Sequence, residues 1–382
     1  MRERYKMMQT PDGATWIKQS QVEKLRQVDA IAFDCDGVLV DARKSYDATI
    51  PRVADQLLRM KLGIGLPWKQ FAPKMITTLR QTGKFNNDWD TTYALILFSV
   101  VSLPMRVIQE IEVGTLSSKF RHFNYSKESV MAKIASTVKK FSSTPTLNRN
   151  ISDAVDQYAI TNAPSKTHEA VLLSLKNELG YPGSPPKALL STLFDEVYHG
   201  PDLFRRMYGI EAKHYRRKGL IENERILIKR RDLTNTNRIL GGQRLAIITG
   251  RPYLATKHVL NGILGYFNVQ ASLFLGDIDV HPELAPKLTS YRKPNGEGLS
   301  HVRQALSSNT LLYVGDSAED IEMVENARRE HEVVLSAGIY GTSLNQSAQL
   351  RFFLGRGTDI ILPSARRISD ILRMVKHEKR AD

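Results

Sequence analysis

The sequence is poor in the residues that mark secreted, membrane-spanning or zinc-dependent proteins. Its 382 residues include one cysteine, Cys35, so no internal disulfide can form, as suits a reducing compartment. No cluster of cysteine and histidine is present, which argues against zinc. The longest apolar run, residues 93–103, is well short of the roughly 18 residues that a transmembrane helix needs. A buried helix is expected there. The opening residues, Met-Arg-Glu-Arg-Tyr-Lys, lack the apolar centre of a signal peptide. A cytoplasmic protein with no membrane partner is the expectation. No internal repeat or low-complexity tract is visible.

Basic charge is what the chain has in excess. Its net charge is +14, on an otherwise ordinary globular composition of 42% hydrophobic and 25% charged residues. The length suits about two to three domains. Such a charge fits either contact with nucleic acid or anionic membrane, or a basic surface that gathers small anionic substrates. It peaks locally between Arg205 and Arg231, where Glu211, Glu222 and Glu224 are interspersed. Solvated helix faces are the plainer reading of such a run.

The pattern of apolar residues divides the chain. A polar arm and a short helix (19–27) lead into an apolar strand at 30–33, which ends in Asp34-Cys35-Asp36-Gly37. Two closely spaced carboxylates at the end of a buried strand repel each other and lose water. A bound cation, or a reaction using both acids, would explain them; a solvated Asp-Gly turn is the alternative. Helical spacing then dominates, at 46–60, 71–79, 91–102, 126–141, 151–158 and 187–198, with exposed loops at 142–149 and 180–186. From 244 onward, strands at 244–248, 271–275, 310–314, 333–339 and 359–362 alternate with helices at 253–264, 298–306 and 321–328. Alternation of this kind builds βαβ units and a parallel sheet. The fold class is therefore α/β, with an all-helical block inserted after the first strand.

Ligands of open parallel sheets bind beyond the carboxyl ends of the strands. The chemically useful residues fall at or soon after such ends. Asp34 and Asp36 follow the first strand and Thr249-Gly250-Arg251 the second. Lys293 lies in the loop beyond the third, and Asp316 and Asp320 follow the fourth. Carboxylates with a lysine and a hydroxyl suit Mg²⁺ and phosphoryl transfer, in which a carboxylate can serve as nucleophile.

In this order, Asp34-Cys-Asp36-Gly-Val-Leu, Thr249-Gly250, Lys293-Pro294 and Gly315-Asp316-Ser-Ala-Glu-Asp320 resemble the four motifs of the haloacid dehalogenase-like (HAD) hydrolases. The resemblance implies a Rossmann-like core from residues 1–44 and 238–382, with an enlarged helical cap of the C1 type at 45–237. It implies Asp34 as nucleophile, Asp36 as general acid and then base, Thr249 as a phosphoryl ligand and Lys293 as a charge brace. Mg²⁺ would be held by Asp34, the backbone carbonyl of Asp36, and Asp316, with Asp320 in support. Dehalogenase relatives lack the second acid and transport-ATPase relatives carry threonine there, so Asp36 points to a phosphatase or a phosphomutase. A general acid serves a poor leaving group such as an alkoxide. A small phosphorylated metabolite is the expected partner. Asp41-Ala-Arg-Lys-Ser-Tyr46 and Asn86-Asn-Asp-Trp-Asp90 mark a branch of the family that implies no particular substrate.

Other features carry two readings each. Cap loops in this superfamily read the substrate, so Lys84, Asn86 and Asn87 are candidate substrate contacts, helix capping being the alternative. Arg251 either assists phosphate binding, as Gly250 beside it would, or pairs with a surface acid. Lys287 rivals Lys293, and Gly276-Asp277-Ile-Asp279 mimics the fourth motif out of order. Cys35 should point away from the two acids and simply pack. A non-catalytic protein binding nucleic acid through the basic stretch is the alternative of another class, and the intact motifs argue against nucleic acid as a partner.

Overall fold

Uninterrupted apolar runs form strands covered on both faces. Ala30–Phe33 (β3), Leu245–Thr249 (β6), Leu311–Gly315 (β8) and Val334–Ile339 (β9) are such runs, and every residue in them is buried. With Leu273–Phe274 (β7) and Ile360–Leu362 (β10) they pair in parallel, in the order β10-β9-β8-β3-β6-β7. Side chains alternate between the two faces. Ile31, Phe33, Ile247 and Val314 enter one core layer, while Ala30, Ala32, Ile248 and Tyr313 enter the other. The computed structural model describes residues 4–85, 87–111, 124–144 and 150–377.

The N-terminal arm expected from the sequence is instead a hairpin. Tyr5–Thr10 (β1) and Gly13–Lys18 (β2) pair antiparallel, and β2 adds antiparallel to β10. The turn is Pro11-Asp12, followed by Gly13 at φ 135°, a conformation that side chains rarely allow. Thr15 and Ile17 alternate into the protein with at most 1% exposure, a period-2 signal hidden by the polar residues between them.

The chain divides into two compact units, Met1–Ala42 with Glu224–Asp382, and Arg43–Asn223. It leaves the α/β unit through Val40–Asp41 (β4) and returns through Arg225–Ile226 (β5), which pair antiparallel. The second crossing therefore falls at 223–224 rather than at 237–238. Ile228 and Leu233 are buried in the α/β core, and the helix Arg230–Leu240 packs against the helix Ile368–His377. Its polar, Arg-rich sequence disguises that membership.

The helical unit is organised on Asp88–Ser102, whose residues from Thr91 to Ser102 are all buried. A helix buried all round belongs in the centre of a bundle. The helices Tyr46–Leu62, Lys127–Ser142 and Ile151–Thr161 pack against it, with Phe98 5.1 Å from Phe141 and 5.6 Å from Tyr158 between ring centres. Helices Lys166–Leu179 and Pro201–Tyr208 were not expected from the sequence. Most of the expected loop at 142–149, residues 145–149, lies outside the described residues. No described helix is long and apolar enough to cross a membrane.

Candidate active site

Three neighbouring strands, β8, β3 and β6, bring the motifs to one sheet edge. Phe33 is in register with Val314 and Ile247, so Asp34 emerges beside the ends of both flanking strands. Its own N–H donates to the Val314 carbonyl at 2.8 Å. The Cys35 carbonyl accepts N–H groups of Leu39 and Val40 at 2.8 and 2.9 Å, which turns the chain sharply after Asp34. Cys35 is buried in the core and its thiol is pushed well up by burial, so it packs rather than reacts.

Lys293 lies between two acids, with Nζ 2.7 Å from Asp34 Oδ1 and 2.7 Å from Asp320 Oδ1. Lys287, its rival, is exposed on a separate short helix, Ala285–Leu288. Asp320 also accepts from Tyr313 Oη at 2.8 Å, Ser317 Oγ at 2.7 Å and the N–H groups of Asp316 and Ser317 at 3.1 and 2.9 Å. Five donors occupy the Asp320 carboxylate, which makes it a brace for the loop. Gln349 Nε2 donates to the Asp316 carbonyl at 2.7 Å, but the Asp316 carboxylate accepts no hydrogen bond among the described residues.

Carboxylate oxygens of Asp34, Asp316 and Asp320 lie within 4.8 Å of one another. Burial, with the nearby charges of Asp320 and Asp36, pushes Asp34 up to about 7 against the pull of Lys293. Burial and the same negative neighbours raise Asp316. Burial acts upward on Asp320 too, yet Lys293 and Ser317 hold it below its ordinary value. With all three ionised, the carboxylates outnumber the single ammonium by two charges, which a divalent cation would offset. Hard oxygen donors of this kind fit Mg²⁺, with Asp34 and Asp316 as the side chains able to hold it.

Thr249 is fully buried at the end of β6, and its Oγ accepts the Arg251 N–H at 3.2 Å. Gly250 is exposed beside it. Arg251 matches neither sequence reading: it is 1% exposed and lies between Asp36 and Glu224. Its Nε is 2.9 Å from both Asp36 oxygens, and its Nη groups meet Glu224 at 2.7 and 3.0 Å. Glu224 is a site neighbour that sequence reasoning missed. It stands in a basic stretch far from Asp36, with no local motif to flag it.

The cap-loop candidates fall in the helical unit. Lys84 and Asn87 are exposed, and Asn86 lies outside the described residues. Asn87 caps the helix, its Oδ1 accepting the Trp89 N–H at 2.8 Å. The next three side chains tie the bundle together: Asp88 to Arg80 at 2.9 Å, Trp89 Nε1 to Asp195 at 3.1 Å, and Asp90 to Tyr181 Oη at 2.6 Å. In the motif mimic, Asp277 caps a helix by accepting the Tyr253 N–H at 2.8 Å and Asp279 pairs with Arg292. The basic run from 205 to 231 is divided between the two units, with Arg205 to Lys218 in one and Arg225 to Arg231 in the other. It is not a single helix face.

Comparison with known proteins agrees with this fold. A crystal structure of a Northeast Structural Genomics Consortium target shares the fold, with a TM-score of 0.60 at 17% identity over 90% of this chain and 98% of that one. No curated protein matches the sequence. A family model described as haloacid dehalogenase-like hydrolase matches residues 28–328. That span runs from the strand bearing Asp34 to the helix that follows Asp316, and the chain belongs to the haloacid dehalogenase-like hydrolases.

Proposed function

We propose that the protein is a Mg²⁺-dependent phosphatase that hydrolyses a small phosphate monoester through an aspartyl-phosphate. The observation that carries this reading is the placement of Asp34. It stands at the end of a central strand, held by Lys293 at 2.7 Å, with Asp316 close by and a second acid two residues on. Mg²⁺, held by Asp34, Asp316 and the main-chain carbonyl of Asp36, would neutralise charge on the phosphoryl oxygens and keep Asp34 ionised.

The residues divide the work. The Asp34 carboxylate attacks phosphorus in line with the departing ester oxygen, and Lys293 balances the charge gathering between them. Asp36 gives its proton to the leaving oxygen and afterwards takes one from the water that hydrolyses the acyl-phosphate. Thr249 offers its hydroxyl to a phosphoryl oxygen, with Gly250 leaving space beside it. The helical unit is the part of the chain that would select the substrate. A cytoplasmic setting suits the single buried thiol.

A panel of phosphate esters assayed with Mg²⁺ and with EDTA tests the proposal. Metal-dependent release of inorganic phosphate is expected, with Asp34→Asn lowering it by at least about 10³-fold. Undiminished turnover by that variant, or no metal-dependent turnover by wild type, overturns the reading. Isomerised sugar phosphate in place of free phosphate would assign a phosphomutase.

A further inference from the structure

We infer that Arg251 and Glu224 act as a positioning pair that fixes the orientation of Asp36, an inference that rests on the phosphatase reading above. A guanidinium at 1% exposure persists only when its donors are matched. Arg251 turns one edge, Nε and Nη2, to both oxygens of Asp36. It turns the other, Nη1 and Nη2, to both oxygens of Glu224. Two carboxylates thus share one planar fork, each held bidentately. The Glu224 side chain is fully buried at 0% exposure, whereas that of Asp36 is 38% exposed. The buried end of the array is fixed, and the open end is the acid that has to meet substrate.

Neither partner is placed by chance of packing. Arg251 follows β6, and its own N–H is tied to Thr249 Oγ at 3.2 Å. Glu224 immediately precedes β5, which pairs with β4, itself four residues past Asp36. Acid, guanidinium and anchor are thereby locked to three backbone segments of one unit. A stabilising pair alone would call for one carboxylate, and buried ion pairs are poor sources of stability. A second, more exposed carboxylate held by the same guanidinium has an orienting use. Lysine could supply the charge but not the fork.

In the first step the Asp34–phosphorus bond forms as the ester oxygen leaves with its bonding electron pair and receives the Asp36 proton. Misorienting the donor should harm this step most when the leaving oxygen is strongly basic, and least when it leaves readily without a proton. The full chain with Mg²⁺ is assayed on 4-nitrophenyl phosphate and phenyl phosphate. Arg251→Lys and Glu224→Gln are expected to lower kcat/KM for phenyl phosphate at least about tenfold more than for 4-nitrophenyl phosphate, a differential of about 1.4 kcal/mol. Equal losses on both substrates, or none, overturn the inference while leaving the phosphatase reading intact. Wild type inactive on both overturns that reading itself. Circular dichroism melts confirm folding, and if Arg251→Lys does not fold, the isosteric Glu224→Gln decides alone.

Discussion

Gly37 has a φ of 73°, and a Cβ on it would collide with the Asp316 carboxylate. Only glycine accepts that conformation at no steric cost, so the turn after Asp36 and the placing of Asp316 depend on one residue. Gly37→Ala should weaken Mg²⁺ binding by about 10- to 100-fold, as loss of support around a metal ligand does; a calorimetric Mg²⁺ titration measures it. A second single-residue effect lies in the helical unit. Burial pushes Asp90 up to about 6, against the hydrogen bond from Tyr181. The unfolded chain releases that proton near 3.8, so between these values the folded state binds more protons. Stability therefore falls as pH rises from about 4 to about 6 and stays low above it. Asp90→Asn should raise stability at pH 8 by about 1–3 kcal/mol and hardly change it at pH 4, as denaturant melts at the two pH values would show. Asp34, Thr249, Lys293 and Asp316 are legible in the sequence because each stands beside, or in order with, an apolar strand. Glu224 is not. Its role exists only through Arg251, and pairing between side chains so distant in sequence leaves no local pattern.

Elements with one strong period are read well, and those whose burial is divided are not. The central strands, and the helix Asp88–Ser102 from Tyr93 onward, are mostly apolar, so their burial follows from the sequence alone. The hairpin at β1 and β2 buries only alternate residues on one strand, and the helix Arg230–Leu240 hides its core contacts among arginines and asparagines. Local composition speaks for solvent there, and tertiary contact overrides it. The hairpin also has work to do: β2 covers the open edge of β10, and uncovered edges template aggregation. Removing residues 1–18 should cost about 2 kcal/mol or more from Ile17 alone and produce concentration-dependent association, visible by light scattering. A monodisperse truncated protein with an unchanged melting temperature would show that β10 needs no cover.

At the scale of the whole molecule, two units with separate cores should answer a cation differently. The carboxylates of the site belong to the α/β unit. Mg²⁺ at about 100 times its dissociation constant should stabilise that unit by about 2.7 kcal/mol. In differential scanning calorimetry the added metal should move the transition of the α/β unit and leave that of the helical unit in place; equal movement of both would mean that they melt as one. The pairing of β4 with β5 also bears on the order in which the chain folds. Contacts between β3 and β6 join residues about as far apart as the inserted block is long, and closing so long a loop is entropically costly. A helical unit that forms early from local contacts, with its two ends drawn together, would turn that long closure into a short one. Pulse-labelled hydrogen exchange during refolding should then find amides of Asp88–Ser102 protected before those of β3. The insertion would be less an obstacle to assembly of the sheet than the clasp that brings its halves within reach.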